Sequence, residues 1–114
     1  MRLFQGQRAW MLQRLTAVVV LALLALCVAL VLVGPPLSFA RWHALATSPH
    51  GAVLIVVFFA AMGLHAWIGI RDVVLDYVHP PAIRLALLTV IAVILTAIVT
   101  RVALTMAAHF AAAS

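Results

Sequence analysis

From Leu15 to Val33 the chain is apolar at every position except Thr16, and Gly34-Pro35-Pro36 then stops the run. At about 1.5 Å per residue, such a run predicts a helix that crosses a hydrocarbon core about 30 Å thick. The double proline ends it because proline has no N–H to donate and its ring clashes with the preceding turn. A second run extends from Ala52 to Ile70 and predicts a helix over about residues 52–76, ahead of Pro80-Pro81. A third predicts a helix over about residues 82–110. Between the first two runs lies a polar loop, Leu37 to Gly51, that carries Arg41, His43, Ser48 and His50. No repeat or low-complexity segment interrupts this order. The pattern predicts an all-α integral membrane protein with three transmembrane helices in a single domain, residues 1–114.

Composition agrees with lipid as the solvent. Of the 114 residues 68% are hydrophobic, and the charged side chains are seven arginines and two aspartates. A soluble domain this small could not hide so much apolar surface, because small domains bury only a modest share of their area. The net charge of +5 raises nucleic acid as a partner. The arginines are scattered singly between apolar runs, however, and form no basic patch, which argues against a nucleic-acid surface. They read as membrane-edge residues. Arg2, Arg8 and Arg14 precede the first helix, Arg71 and Arg84 flank the second connection, and Arg41 stands alone in the first loop. The positive-inside rule then puts the N-terminus in the cytoplasm and the C-terminus outside. Arg101 lies about 25 Å along the third helix from Arg84 and can snorkel to the outer interface. The first run exceeds the roughly 7–15-residue core of a signal peptide and lacks a clear small-residue cleavage site, so it reads as a retained helix. Cys27 has no second cysteine to pair with and reads as a small buried hydrophobe.

The candidate chemistry sits on the second helix. His65 is the only ionisable residue inside its apolar span, and a polar group at that depth is costly enough to be a functional candidate. At about 100° per residue, Phe58, Gly69, Asp72 and Asp76 share its side of the helix, with Met62 at the margin. Gly69 removes a side chain one turn away and lets a flat group or another helix come close. The stripe therefore carries an imidazole, a gap and two acids nearer the membrane edge. Three uses of His65 are open on the residues alone: an interhelical hydrogen bond, a proton relay, or axial ligation of a haem iron by a neutral imidazole nitrogen. No further ionisable residue continues a relay toward the outer side. A six-coordinate haem would need its second histidine from another chain, since this one offers a single deep histidine.

His65-Ala66-Trp67-Ile68-Gly69, followed by Asp76-Tyr77-Val78-x-Pro80, resembles the smaller hydrophobic anchor subunit of succinate dehydrogenase, respiratory complex II. Arg14-x-Thr16-Ala17 resembles the start of that family's first helix, and length and helix order agree. The resemblance spans nearly the whole chain. It implies a non-catalytic membrane anchor that packs with a companion cytochrome b anchor subunit and holds an iron–sulfur subunit and a flavoprotein subunit on the inner face. His65 would be one axial ligand of a haem b shared with the companion, and thus a metal ligand to its iron. Tyr77 would donate a hydrogen bond to ubiquinone, Asp76 would line the same quinone pocket, and Arg14 would lie near the haem propionates. Electrons from succinate would pass to ubiquinone, linking the tricarboxylic acid cycle to respiratory electron transport, in a bacterial cell inner membrane. A fumarate reductase using menaquinone is the variant within the family. Outside it, the alternatives are a small proton-coupled transporter or channel subunit and a cofactor-free structural anchor. Arg71-Asp72 makes the segment after the motif more charged than the family pattern, and Asp72 pairs either with Arg71 or toward Arg14. His79 reads as a solvated loop residue beside the quinone region, and His43, His50 and His109 as interfacial.

Overall fold

A computed structural model of the chain describes residues 2–113, and their side chains from 7 to 112. Four helices follow in order: α1 (Arg2–Val33), α2 (Phe39–Thr47), α3 (Pro49–Tyr77) and α4 (Pro81–Ala113). Three stretches, Gln7–Val33, Pro49–Tyr77 and Pro81–Ala112, are long and apolar enough to cross a membrane. The protein is a multi-pass membrane protein. Helix α1 begins well before the apolar run at Leu15 that the sequence pattern marked. The residues from Arg8 to Gln13 are ordinary helix formers, so the polarity change at residue 15 is not the edge of the helix.

The segment 37–51 is not the plain loop expected from its polarity. Ser38 is extended, with φ −118° and ψ 164°, and its hydroxyl accepts from the Arg41 backbone N–H, which starts α2. Ser48 serves two helices at once. Its backbone N–H donates to Ala44 O at 3.1 Å, closing α2, and its Oγ accepts from Gly51 N at 3.1 Å, opening α3 with Pro49 in the first turn. A Cβ on Gly51 would overlap the Leu45 carbonyl, so this corner admits glycine alone.

Arginine closes the other helix ends. The last carbonyls of a helix have no partner within it and need one from a side chain or from water. Arg41 reaches back to α1, donating to Leu30 O at 2.7 Å, to Val31 O at 3.4 Å and to Pro35 O. Arg84 on α4 donates through Nε to Val78 O at 3.0 Å and through Nη2 to Leu75 O at 3.1 Å, tying the end of α3 to the start of α4. Val78 N–H also returns to Val74 O at 2.9 Å.

Helix α3 runs antiparallel to both long neighbours and is the one element that packs against all three others, while α1 and α4 make no contact with each other among the described residues. Small side chains permit the approach. Gly63 would bring a Cβ to 3.1 Å from Val99 on α4, and Gly69 to 3.4 Å from the Gln13 amide on α1. The buried apolar residues are Ala46, Ala52, Ala61, Ile68 and Val74, mostly on α3. Long side chains such as Leu21, Leu32, Val93 and Leu104 point outward from the bundle, which measures 52 × 26 × 24 Å. Cys27 is exposed, not buried as its apolar surroundings suggested, because that face of α1 has no neighbour within the chain. Trp42 and Phe39 of α2 stack near His43, whose ring meets His109 of α4 edge-on at 5.7 Å.

Gly51→Ala forces the α2–α3 corner apart at the Leu45 carbonyl. The expected cost is about 1–3 kcal/mol, the usual range for an extra methyl in a filled site. A melting curve of the detergent-purified protein checks this, and an unchanged midpoint would refute the steric account.

Candidate functional site

His65 lies on α3 about 18 Å along the axis from Tyr77, at the depth of the apolar span, and it is half-buried. Its side chain faces α1. The imidazole Nδ1 is 3.2 Å from the Gln13 carbonyl oxygen and 3.3 Å from Thr16 Oγ1. Thr16 is 6% exposed and is the one buried polar side chain among the described residues. Its hydroxyl also lies 2.9 Å from Leu12 O and 3.0 Å from Gln13 O, the carbonyls of the turn below it. Back-bonding of this kind is how threonine satisfies its hydroxyl inside a helix surrounded by lipid. Nε2 of His65 makes no hydrogen bond among the described residues, and it is not sealed off either, since no buried side-chain nitrogen or oxygen there lacks a partner.

The sequence singled out Gly69 as a gap beside His65. The gap is filled by α1, with the Gln13 amide opposite it. Arg14 projects away from this contact. Its guanidinium sits 5.2 Å from the centre of the Trp10 ring, a cation–π arrangement on the exposed side of α1. Asp72 pairs with its neighbour, accepting from Arg71 Nη2 at 3.1 Å, and not with Arg14. Asp76 is exposed, and Tyr77, the last residue of α3, is 79% exposed. The stripe of Asp72, Asp76 and His65 is therefore a shared helix side without mutual contacts.

Grooves open on the surface between the helices. One of about 410 Å³ lies between α3 and α4, lined by Gly63, Leu64, Trp67, Thr96 and Val99 among others, and it holds no ionisable side chain. Gly63 and His65 are about 200° apart on the helix, so this groove is on the opposite side of α3 from the imidazole. Another, about 350 Å³, is formed by Trp42, Ile55, Phe59, Arg101 and Met106 among others. Neither includes His65, Asp76 or Tyr77. No three of His, Cys, Asp and Glu converge among the described residues. The imidazole is thus held against α1 while the phenol is exposed at the end of α3, and neither lines either of these grooves.

Sequence reasoning missed Thr16 and Gln13 as partners of His65. Their spacing of three puts them on one side of α1, a signal that a lone threonine in an apolar run already hinted at. It also read Arg84 and Arg41 only as edge charges, whereas each guanidinium closes a helix end. Arg84 holds the carbonyls of Leu75 and Val78 on either side of Tyr77, so it fixes the turn from which the phenol projects.

Residues 2–101 match the family described as "Succinate dehydrogenase/Fumarate reductase transmembrane subunit". The chain is also 33% identical over 91 residues to the succinate dehydrogenase hydrophobic membrane anchor subunit of Coxiella burnetii, strain RSA 493 / Nine Mile phase I. That alignment covers 80% of this chain and 79% of the relative. With agreement over so much of its length, the chain belongs to the succinate dehydrogenase/fumarate reductase transmembrane subunit family.

Proposed function

We propose that this chain is the membrane anchor of a succinate:ubiquinone oxidoreductase in a bacterial inner membrane, with its N-terminus in the cytoplasm. It packs with a companion cytochrome b anchor subunit and holds the iron–sulfur and flavoprotein subunits against the Tyr77 end of the bundle. The family membership and the name carried by the Coxiella burnetii relative support the anchor role. The observation that carries the site reading is the geometry of His65: Nδ1 is engaged by α1 at 3.2 and 3.3 Å while Nε2 has no hydrogen-bond partner among the described residues. The donor set fits a haem b, because an imidazole anchored through one ring nitrogen presents the other to iron. His65 would supply one axial ligand and the companion subunit the other. Bound there, the haem would supply a one-electron redox centre within the apolar part of the bundle. Arg14, whose guanidinium lies over the exposed Trp10 ring at 5.2 Å, would turn from that ring to pair with a propionate.

At the membrane edge, Tyr77 would donate its phenol hydrogen to a carbonyl oxygen of ubiquinone, and the exposed Asp76 carboxylate would line the same pocket. Arg84 secures that turn without entering the pocket. The reduction of the quinone and the oxidation of succinate belong to the cofactors and the soluble subunits. This chain binds, orients and excludes water. The proton-path alternative lacks a second deep acid or base on α1 or α4 to receive a proton from His65.

The test is the dithionite-reduced-minus-oxidised visible spectrum of the complex purified from its native membrane. A bis-histidine b-type haem that disappears or loosens in His65→Ala is the expected result. An unchanged spectrum in that variant would remove His65 from the iron.

Tyr77→Phe keeps the ring and deletes one donor. The expected loss is roughly 0.5–1.5 kcal/mol, or about two- to tenfold in quinone affinity. Succinate oxidation with an artificial electron acceptor should be spared. Equal losses in both assays, or none in either, would rule out a direct contact between Tyr77 and quinone.

A further inference from the structure

The proton count around His65 leads beyond the identity of the ligand. Nδ1 faces two oxygens at once, the Gln13 carbonyl at 3.2 Å and Thr16 Oγ1 at 3.3 Å. A carbonyl oxygen can only accept. A bare Nδ1 would therefore set its lone pair against that of Gln13 O, so the hydrogen must be on Nδ1. The Thr16 hydroxyl has a single proton, and its near neighbours Leu12 O and Gln13 O, at 2.9 and 3.0 Å, can only accept it. Its oxygen keeps a lone pair free for Nδ1–H. One three-centre bond from the imidazole and one back-bond from the threonine satisfy every group in the cluster.

We infer that Thr16 is a positioning residue for His65: together with the Gln13 carbonyl it holds the imidazole in the Nδ1–H tautomer, at a fixed ring angle, with Nε2 as the ligand nitrogen. The inference rests on the proposal that His65 binds haem iron. The arrangement joins a buried side chain on α1 to the imidazole on α3 across 49 residues of sequence. Its chemistry is that of the outer shell of metal sites, where acceptors on the far nitrogen of a histidine set its orientation and raise its basicity. Two acceptors on Nδ1–H push electron density toward Nε2 and favour ferric over ferrous iron. Removing the Thr16 oxygen leaves only the Gln13 carbonyl, so the potential rises and the ring gains freedom to turn.

The experiment uses the whole complex and reads the haem itself. Thr16→Val is nearly isosteric and deletes the hydroxyl, Thr16→Ala deletes it without a branched side chain, and Thr16→Ser retains it. Redox titration of the haem absorbance gives the midpoint potential, and the low-spin ferric g values report the ring orientation. In Thr16→Val the reduction equilibrium should move toward the ferrous form by about three- to tenfold, tenfold being about 59 mV for a one-electron couple. The g values should shift with it, and Thr16→Ser should restore both. If valine prevents assembly, the same shift is expected of alanine. Potentials and g values that match in the valine, serine and unaltered complexes would overturn the positioning role while leaving His65 as the ligand. So would failure of the serine variant to assemble beside a valine variant that assembles with unaltered potential and g values, since the shape of the side chain and not its hydroxyl would then matter. The His65→Ala spectrum separates this from failure of the haem reading, because a bis-histidine haem retained there removes the ligand as well as its support.

Discussion

A polar group in the hydrocarbon core has no water to turn to, and nearly every specific contact in this protein answers that constraint. The helical backbone satisfies itself along its length, which leaves the ends and the few polar side chains to be accounted for. Arg41 closes the last carbonyls of α1, Arg84 those of α3, and Ser48 the junction of α2 and α3. Deep in the bundle one imidazole remains, and α1 brings it a carbonyl and a buried hydroxyl. The same three groups fix the register of α1 on α3, because a slip of one residue would turn both Gln13 and Thr16 away from His65 by about 100°.

The remaining packing is thin, and that thinness has meaning. Helix α3 is the hub, approached through Gly63 on one side and Gly69 on the other. Small residues serve this purpose in lipid, where association depends on close backbone approach and not on escape from water. Because α1 and α4 do not meet among the described residues, the bundle has open flanks, and Asp76 and Tyr77 are exposed. A transmembrane subunit of this family is built as part of a larger assembly, and its incompleteness as a lone chain is the structural counterpart of that role. The imidazole and the phenol lie about 18 Å apart along one helix, so the sites proposed for them are separate.

Much of this was legible in the sequence. The number and order of the spans, the depth of His65 and the edge position of Tyr77 follow from the length and hydropathy of segments, which are properties of local sequence, because lipid rewards apolar length wherever the segment lies. The short helix α2 was not legible, since its polarity suggested a loop, and serine caps at both ends with an aromatic face made it a helix instead. Nor was the exposure of Cys27, which depends on which side of α1 has a neighbour. Only the tertiary structure decided that Thr16 and Gln13 meet His65, across 49 and 52 residues, and that Arg84 holds the carbonyls around Tyr77. Those contacts depend on the crossing and register of one helix on another. Hydropathy does not encode them, because in lipid the apolar faces that pack together and the apolar faces that meet acyl chains look alike.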